Sequence, residues 1–400
     1  MEILINIVYA FVLTTWSFTH PTRYVMGYFI YVSSYLGWFN QDILIGGVEY
    51  GEFLFNLLAL LPVIFRWIEI DVRIKAVIIF LSMFYLYGLI KPIIDGHQGW
   101  MLSVKASKSM TAYFFLFYVI AFYKQMEWEK IFRFLTIIAV YYAFLYIINW
   151  IGLPIRPPFY IKQDFIQCFF DSFMLLALCY QLTKENPFAL NNLWICVVLL
   201  GGIYVGGYFS LLVVALFILG VIFLSQSVKH PLVWMMLAFS VVLLFVIGII
   251  CEEALWHIWK EHQAALDSRS YYNEFRWQLI AQEFLGGYGY LSRDTRLVSL
   301  NSMADSSSYM TDLSFVDAGY VDLLGRFGLI GTILLLLVPG YFLWKTTWNR
   351  QTLPFILMVI SFYAVNVTWS VFSYPQGIIV LALVYAYLFQ NNKIEIWQES

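Results

Sequence analysis

The feature that most constrains this chain is its near-unbroken succession of apolar runs, each close to the length that crosses a bilayer. A helix needs about 20 mostly apolar residues for that, because the hydrocarbon core is about 30 Å thick. Runs of this kind lie at roughly 3–18, 24–39, 52–67, 73–92, 109–123, 131–151, 163–182, 190–206, 209–226, 231–250, 319–343, 353–369 and 373–390. The first two are short and separated only by Thr19 to Arg23, so the expectation is about 12 spans, one more or fewer. The predicted fold class is therefore all-α, a polytopic membrane helix bundle forming one domain over 1–400. Composition agrees: 62% of residues are hydrophobic and 12% charged, whereas soluble domains carry about a quarter charged residues. A formal net charge of -2, with no basic run interleaved with aromatics, excludes a globally basic nucleic-acid binder.

Charge is concentrated instead in one polar segment, 251–318, which holds fifteen of the 23 Lys and Arg and 25 Asp and Glu residues. Its position in the topology follows from the other cations, since Lys and Arg accumulate in cytoplasmic connections. Arg66, Arg73, Lys75, Lys124, Lys130, Arg133, Lys184, Lys229, Lys345, Arg350 and Lys393 fall in one alternating set of connections. That set is predicted cytoplasmic, with the C-terminus, and 251–318 becomes a large extracytoplasmic loop. Two connections on the outer side break the pattern, one with Lys91, Lys105 and Lys108 and one with Arg156 and Lys162. They read either as statistical scatter or as cations facing an anionic substrate. The start of the chain has no basic n-region or small-residue cleavage site, so the first run is expected to be retained. Three of the four cysteines, Cys168, Cys179 and Cys196, lie within apolar runs and read as packed hydrophobes; neither a disulfide nor a metal site is expected.

Within the loop, Asp267 to Phe284 predicts an amphipathic helix, capped by Asp or Ser and stopped by Gly286-Gly287. Arg269, Arg276 and Glu283 recur every seventh residue along one stripe, and Trp277, Ile280, Ala281 and Phe284 form an apolar face suited to lying on top of the membrane helices. Arg binds phosphate oxygens through a planar fork, so the pair Arg269 and Arg276 suits a phosphate or pyrophosphate cradle; ion pairing with Glu274 or Glu283 is the competing account. Gly286-Gly-Tyr-Gly289 lacks the spacing of a nucleotide-binding loop and reads as a sharp bend. Asp317 stands just before the next apolar run, as a base at the membrane edge or as the cap of the helix that follows. His257 and His262 read as surface residues or helix partners. Asp164 and Asp171, seven residues apart, share a helix face at membrane depth, where an acid usually looks into a bundle interior.

These residues carry a resemblance. Arg276-Trp277, Gly287 ten residues on, the Gly-Tyr-Gly turn, Asp317-x-x-Tyr320 and Gly328-Leu-Ile-Gly331 resemble the large-periplasmic-loop region of the O-antigen polymerase and ligase superfamily of bacterial membrane glycosyltransferases, over about 65 residues. The resemblance implies a bundle of about 12 helices with an outer groove, in the bacterial inner membrane. It also implies transfer of a sugar chain from undecaprenyl pyrophosphate to an acceptor hydroxyl, without metal, nucleotide or other cofactor. Asp317 stands where ligases of this superfamily have His, and Ala318 where they have Asn, which favours a polymerase of repeat units over a ligase. The family's Ser-Arg pair at the outer end of a mid-chain span is replaced here by Gly206-Gly-Tyr-Phe-Ser210, leaving Arg156 or Lys162 to supply that charge.

The expected catalytic set is thus Asp317 as base, with Asp312 and Glu274 in reserve, and Arg276 and Arg269 on the departing pyrophosphate. Tyr272, Trp277, Gly287, Gly289 and Tyr320 complete the expected substrate surface. Partners implied are the lipid-linked donor and acceptor, membrane lipid and a chain-length regulator. The competing functions are ligation, transport or flipping of a polysaccharide precursor, and a nonenzymatic part in an export assembly. Transporters place charge near the membrane midplane, which is the discriminating feature.

Overall fold

The computed structural model describes residues 2–34, 44–45, 48–152, 161–162, 165–166, 171–206, 209–227, 276–292 and 318–391. Over these residues the chain is almost wholly helical. The strands among them are two-residue antiparallel ladders, Leu44–Ile45 with Val48–Glu49 and Ile161–Lys162 with Phe165–Ile166. The helices are α1 (Glu2–Thr19), α2 (Pro21–Ser34), α3 (Tyr50–Phe65), α4 (Val72–Ile94), α5 (Trp100–Ala106), α6 (Ala112–Ala121), α7 (Trp128–Trp150), α8 (Asp171–Leu182), α9 (Leu190–Val205), α10 (Phe209–Ser227), α11 (Gly319–Lys345), α12 (Leu353–Val365) and α13 (Pro375–Gln390). Each predicted run within the described residues carries a helix, but in the run at 163–182 Phe165–Ile166 pairs as a strand and the helix begins only at Asp171, with Asp164 outside the described residues; the run at 231–250 also lies outside them.

Three helices, α4, α7 and α11, are long and apolar enough to cross a membrane, and several shorter apolar helices accompany them. The chain is a helical bundle of membrane-protein character. Where the sequence predicts a single run at 109–123, the helix is only Ala112–Ala121, because tighter 3₁₀ turns at Lys108–Thr111 and Tyr123–Gln125 take its ends. Local signals set other boundaries. Asp71 caps α4 by accepting the Arg73 amide at 2.8 Å, and the hydrogen bond from the Arg73 side chain holds the Asp71 carboxyl below the usual carboxylate range.

A helix that is apolar all round belongs in an interior, and α6, α8 and α13 behave so. Every residue of α6 from Ala112 to Ile120 is buried, as is every residue of α13 from Gly377 to Ala386. α6 packs against α3 and α13, while α7 packs against α8 and α9. Stacked rings join the layers, Tyr28 on Phe115 at 3.9 Å and Phe342 on Tyr385 at 4.5 Å. By contrast α4 exposes Ile79, Met83 and Leu86, the outward apolar face expected of a helix on the rim of a membrane bundle.

Several of the basic connections assigned to one side lie near one another, whereas Lys229 and Lys393 lie outside the described residues. The Arg350 guanidinium donates to the Lys184 and Glu185 carbonyls. Arg66 donates to Gln125 at 3.3 Å, Arg73 lies 5.3 Å over the Phe389 ring, and the Thr347 amide bonds the Asn391 carbonyl at 3.1 Å. The opposite end carries the 276–292 segment.

Candidate functional site

The described part of the long polar loop is 276–292, a helical stretch over 276–282 followed by a turn. Backbone hydrogen bonds seat it on the bundle. The Tyr288 amide donates to the Gly325 carbonyl at 2.8 Å, the Gly289 amide to Arg326 at 2.9 Å and the Tyr290 amide to Gly88 at 2.7 Å, while the Leu329 amide donates back to Phe284 at 2.8 Å. Each bond is worth about 1 kcal/mol net, but together they fix the turn between α4 and α11 in one register.

Glycines make that approach possible. Gly287 has φ +70 and Gly289 φ +76, a region where a side chain is strained. A Cβ on Gly287 would lie 2.4 Å from the Gly328 nitrogen, and one on Gly289 would lie 2.5 Å from the Gly88 carbonyl oxygen. On the receiving side, α11 itself breaks at Gly328, with φ 63 and ψ -173. A Cβ on Gly88 would meet the Tyr290 ring at 2.5 Å. The sequence reading of Gly286 to Gly289 as a sharp bend is right, and its cause is a threaded contact between three segments.

Beneath the turn, Gln98 clamps its end: Nε2 donates to the Tyr290 carbonyl at 2.6 Å and Oε1 accepts the Ser292 amide at 2.9 Å. Beside it, the Tyr288 hydroxyl donates to the Leu279 carbonyl at 2.9 Å, and burial pushes the Tyr288 phenol above its ordinary pKa. Lys91 bridges Asp95 at 2.5 Å and Glu283 at 3.6 Å, tying the same turn to the end of α4.

Among the predicted site residues, Arg276, Trp277, Gly287, Gly289 and Tyr320 lie in the described structure. Arg276 is buried, with 6% of its surface exposed. A desolvated guanidinium interacts with charge far more strongly than a surface one. The expected apolar face of Trp277, Ile280, Ala281 and Phe284 is divided: Ile280 is buried, whereas Trp277 and Phe284 are about two-fifths exposed. Only one edge of the short helix faces inward, because the turn that follows it takes the contact with α11 through the Gly325 and Arg326 carbonyls. Ile280 joins Tyr288, Leu291, Ala318 and Val321 in one buried cluster. Tyr320 is tied down by donating its hydroxyl to the Tyr363 carbonyl at 2.6 Å. Arg269, Tyr272, Glu274, Asp312, Asp317 and Arg156 lie outside the described residues, and so does the side chain of Lys162.

Two features escaped the sequence reading. Arg326 and Asp322, one turn apart in α11, form an ion pair at 2.8 Å, with side-chain exposures of 12% and 2%. The i, i+4 spacing of opposite charges inside an apolar run was the available signal. Asn366, a polar residue ending α12, is fully buried against Gly319, and nothing in its local sequence marks it. No protein family matches the chain, and no curated protein matches its sequence.

Proposed function

We propose that the chain is a membrane glycosyltransferase that polymerises undecaprenyl-pyrophosphate-linked repeat units of a surface polysaccharide. In this reading about 12 spans form one domain of the bacterial inner membrane, with 251–318 outside and the C-terminus in the cytoplasm. The observation that carries it is the cluster joining Ile280, one turn beyond Arg276, to Ala318 and Val321 at the head of α11. Two halves of the motif, some forty residues apart in sequence, thus meet on one rigid support, as a catalytic constellation requires. The donor already carries a good leaving group, so the protein's work is to position the acceptor, stabilise the departing charge and take up a proton.

In that scheme Arg276, with Arg269, holds the pyrophosphate. Asp317 is the base, a role that typically contributes about 10²- to 10⁴-fold. Arg276→Lys is expected to lose polymer almost as completely as Arg276→Ala, since an ammonium keeps the charge without the fork. The measurement is a polysaccharide ladder from cells lacking the native copy, with membrane levels of each variant. A normal ladder from Arg276→Lys excludes the bidentate role.

Transport is the second reading, and two buried charges favour it: the Asp322–Arg326 pair and Asp171, whose carboxylate is buried against Gly206. Acids and bases inside membrane bundles often mark a transport path. The two readings part in cells deleted for the chain. Single repeat units still displayed at the surface favour polymerisation; their absence favours transport.

A further inference from the structure

Two helices are interrupted where they meet the strap formed by 284–290, and the strap serves the groups that the interruptions set free. Pro92, inside α4, has no N–H to give to the carbonyl four residues back, that of Gly88. The Tyr290 amide donates to that carbonyl at 2.7 Å. In α11 the backbone leaves the helical region at Gly328, with φ 63 and ψ -173. An unbroken helix would offer the Gly325 carbonyl to the Leu329 amide and the Arg326 carbonyl to the Ile330 amide. Here those carbonyls accept from Tyr288 at 2.8 Å and Gly289 at 2.9 Å, and Leu329 donates to Phe284 at 2.8 Å.

Thr332 supplies a second, independent observation. Threonines in other helices of this chain donate their hydroxyl to the carbonyl four residues back: Thr14 to Ala10 at 2.7 Å, Thr15 to Phe11 at 2.9 Å and Thr136 to Phe132 at 2.8 Å. Four residues back from Thr332 is Gly328, the point of the break, and the Thr332 hydroxyl is buried without a partner. The Tyr290 hydroxyl is orphaned in the same way. A buried polar group with no partner is costly, so the docked strap leaves two hydroxyls that its release would satisfy, Thr332 by the Gly328 carbonyl and Tyr290 by water.

Glycine makes that second arrangement available, because it takes up helical and left-handed backbone alike. With Gly328 in the helical region, α11 becomes continuous and the Leu329 amide, the Ile330 amide and the Thr332 hydroxyl all regain helical acceptors. The strap amides then turn to water, and the Gly88 carbonyl, which Pro92 cannot serve, loses Tyr290. Bonds lost on one side are matched on the other, the condition for two packings of one sequence to lie close in free energy. Residues 284–286 of the strap are exposed or half-buried, and the seat buries 287–290.

We propose that α11 is a two-state helix with Gly328 as its switch, broken while the strap is docked and continuous once the strap is released. The half of α11 before the break carries Tyr320, Asp322 and Arg326, so straightening re-aims these side chains as the strap leaves α4. The switch is independent of the polymerase reading.

Hydrogen exchange of the full-length protein in lipid nanodiscs, resolved to single amides by mass spectrometry, tests it. Gly328→Ala removes the docked state, because a Cβ there would lie 2.3 Å from the Leu285 carbonyl oxygen and 2.6 Å from the Gly286 nitrogen, and alanine favours the helix. The Tyr288, Gly289 and Tyr290 amides are expected to exchange about ten-fold faster and those of Leu329 and Ile330 about ten-fold slower, with α13 unchanged. The opposite signs are the signature, since damage to a fixed seat speeds both sets. Leu329 and Ile330 amides that exchange as before or faster, or an unchanged strap, overturn the switch. Should Gly328→Ala fail to fold, Thr332→Val decides. It deletes the hydroxyl bond that only the continuous helix makes, so the strap amides are expected to exchange about five-fold slower. Strap exchange that is unchanged or faster in Thr332→Val overturns the switch.

Discussion

The core around α6 and α13 and the seat of the 276–292 segment are held together by opposite means. In the core, apolar side chains interdigitate on every face, and each contact is one among many. At the seat, backbone approaches backbone through Gly88, Gly287, Gly289 and Gly328, and there is no space for one added methyl. Side-chain packing can relax around a substitution, whereas a backbone contact at positive φ has no rotamer to change. The difference separates a scaffold that tolerates change from a junction that does not.

The largest expected effect is at the junction. Gly287→Ala combines left-handed strain of about 1–2 kcal/mol with a clash at the Gly328 nitrogen costing about 1–3 kcal/mol. On the polymerase reading, its expected outcome is a membrane-inserted protein that makes no polymer, with faster hydrogen exchange across 276–292 and unchanged exchange in α13. Loss of protection throughout the bundle would dissolve the distinction between the two regions.

A cavity in the core is the complementary case. Leu383 is fully buried in α13, and Leu383→Ala is expected to cost about 2–5 kcal/mol, read as a lower Tm of the purified protein. Polymer made per folded molecule should stay the same. A variant that folds stably and yet makes no polymer would show that the core takes part in the chemistry.

This contrast also explains what the sequence revealed. Helices could be read because burial on all sides leaves long apolar runs such as Ala112 to Ala121 and Pro375 to Gln390. Gly287 and Gly289 announced a bend, since glycine doublets are the commonest way to make one. Their partners were hidden: Gly88 and Gly328 sit inside apolar runs, where a glycine is ordinary and its purpose depends on a segment some two hundred or forty residues away. Asp322 and Arg326 fell just past the polar loop, in a run read as a span. Trp277 misled because its helix turns only one edge inward, so hydrophobicity alone could not tell the seated edge from the exposed one.

The smallest expected effect belongs to Lys91, and it decides between the two sequence readings of the outer cations. The structure gives Lys91 two acidic partners, Asp95 at 2.5 Å and Glu283 at 3.6 Å, in a setting about one-fifth to two-fifths exposed. Partly exposed ion pairs contribute about 0–1 kcal/mol and weaken as salt shortens the Debye length. If Lys91 only ties the turn to α4, Lys91→Gln lowers Tm by an amount that shrinks in high salt, and the polysaccharide ladder is unchanged. A cation that also faces an anionic substrate behaves differently, because the substrate loses an attraction that neither Asp95 nor Glu283 can replace. A lost ladder at nearly normal Tm would therefore move Lys91 from the seat into the site.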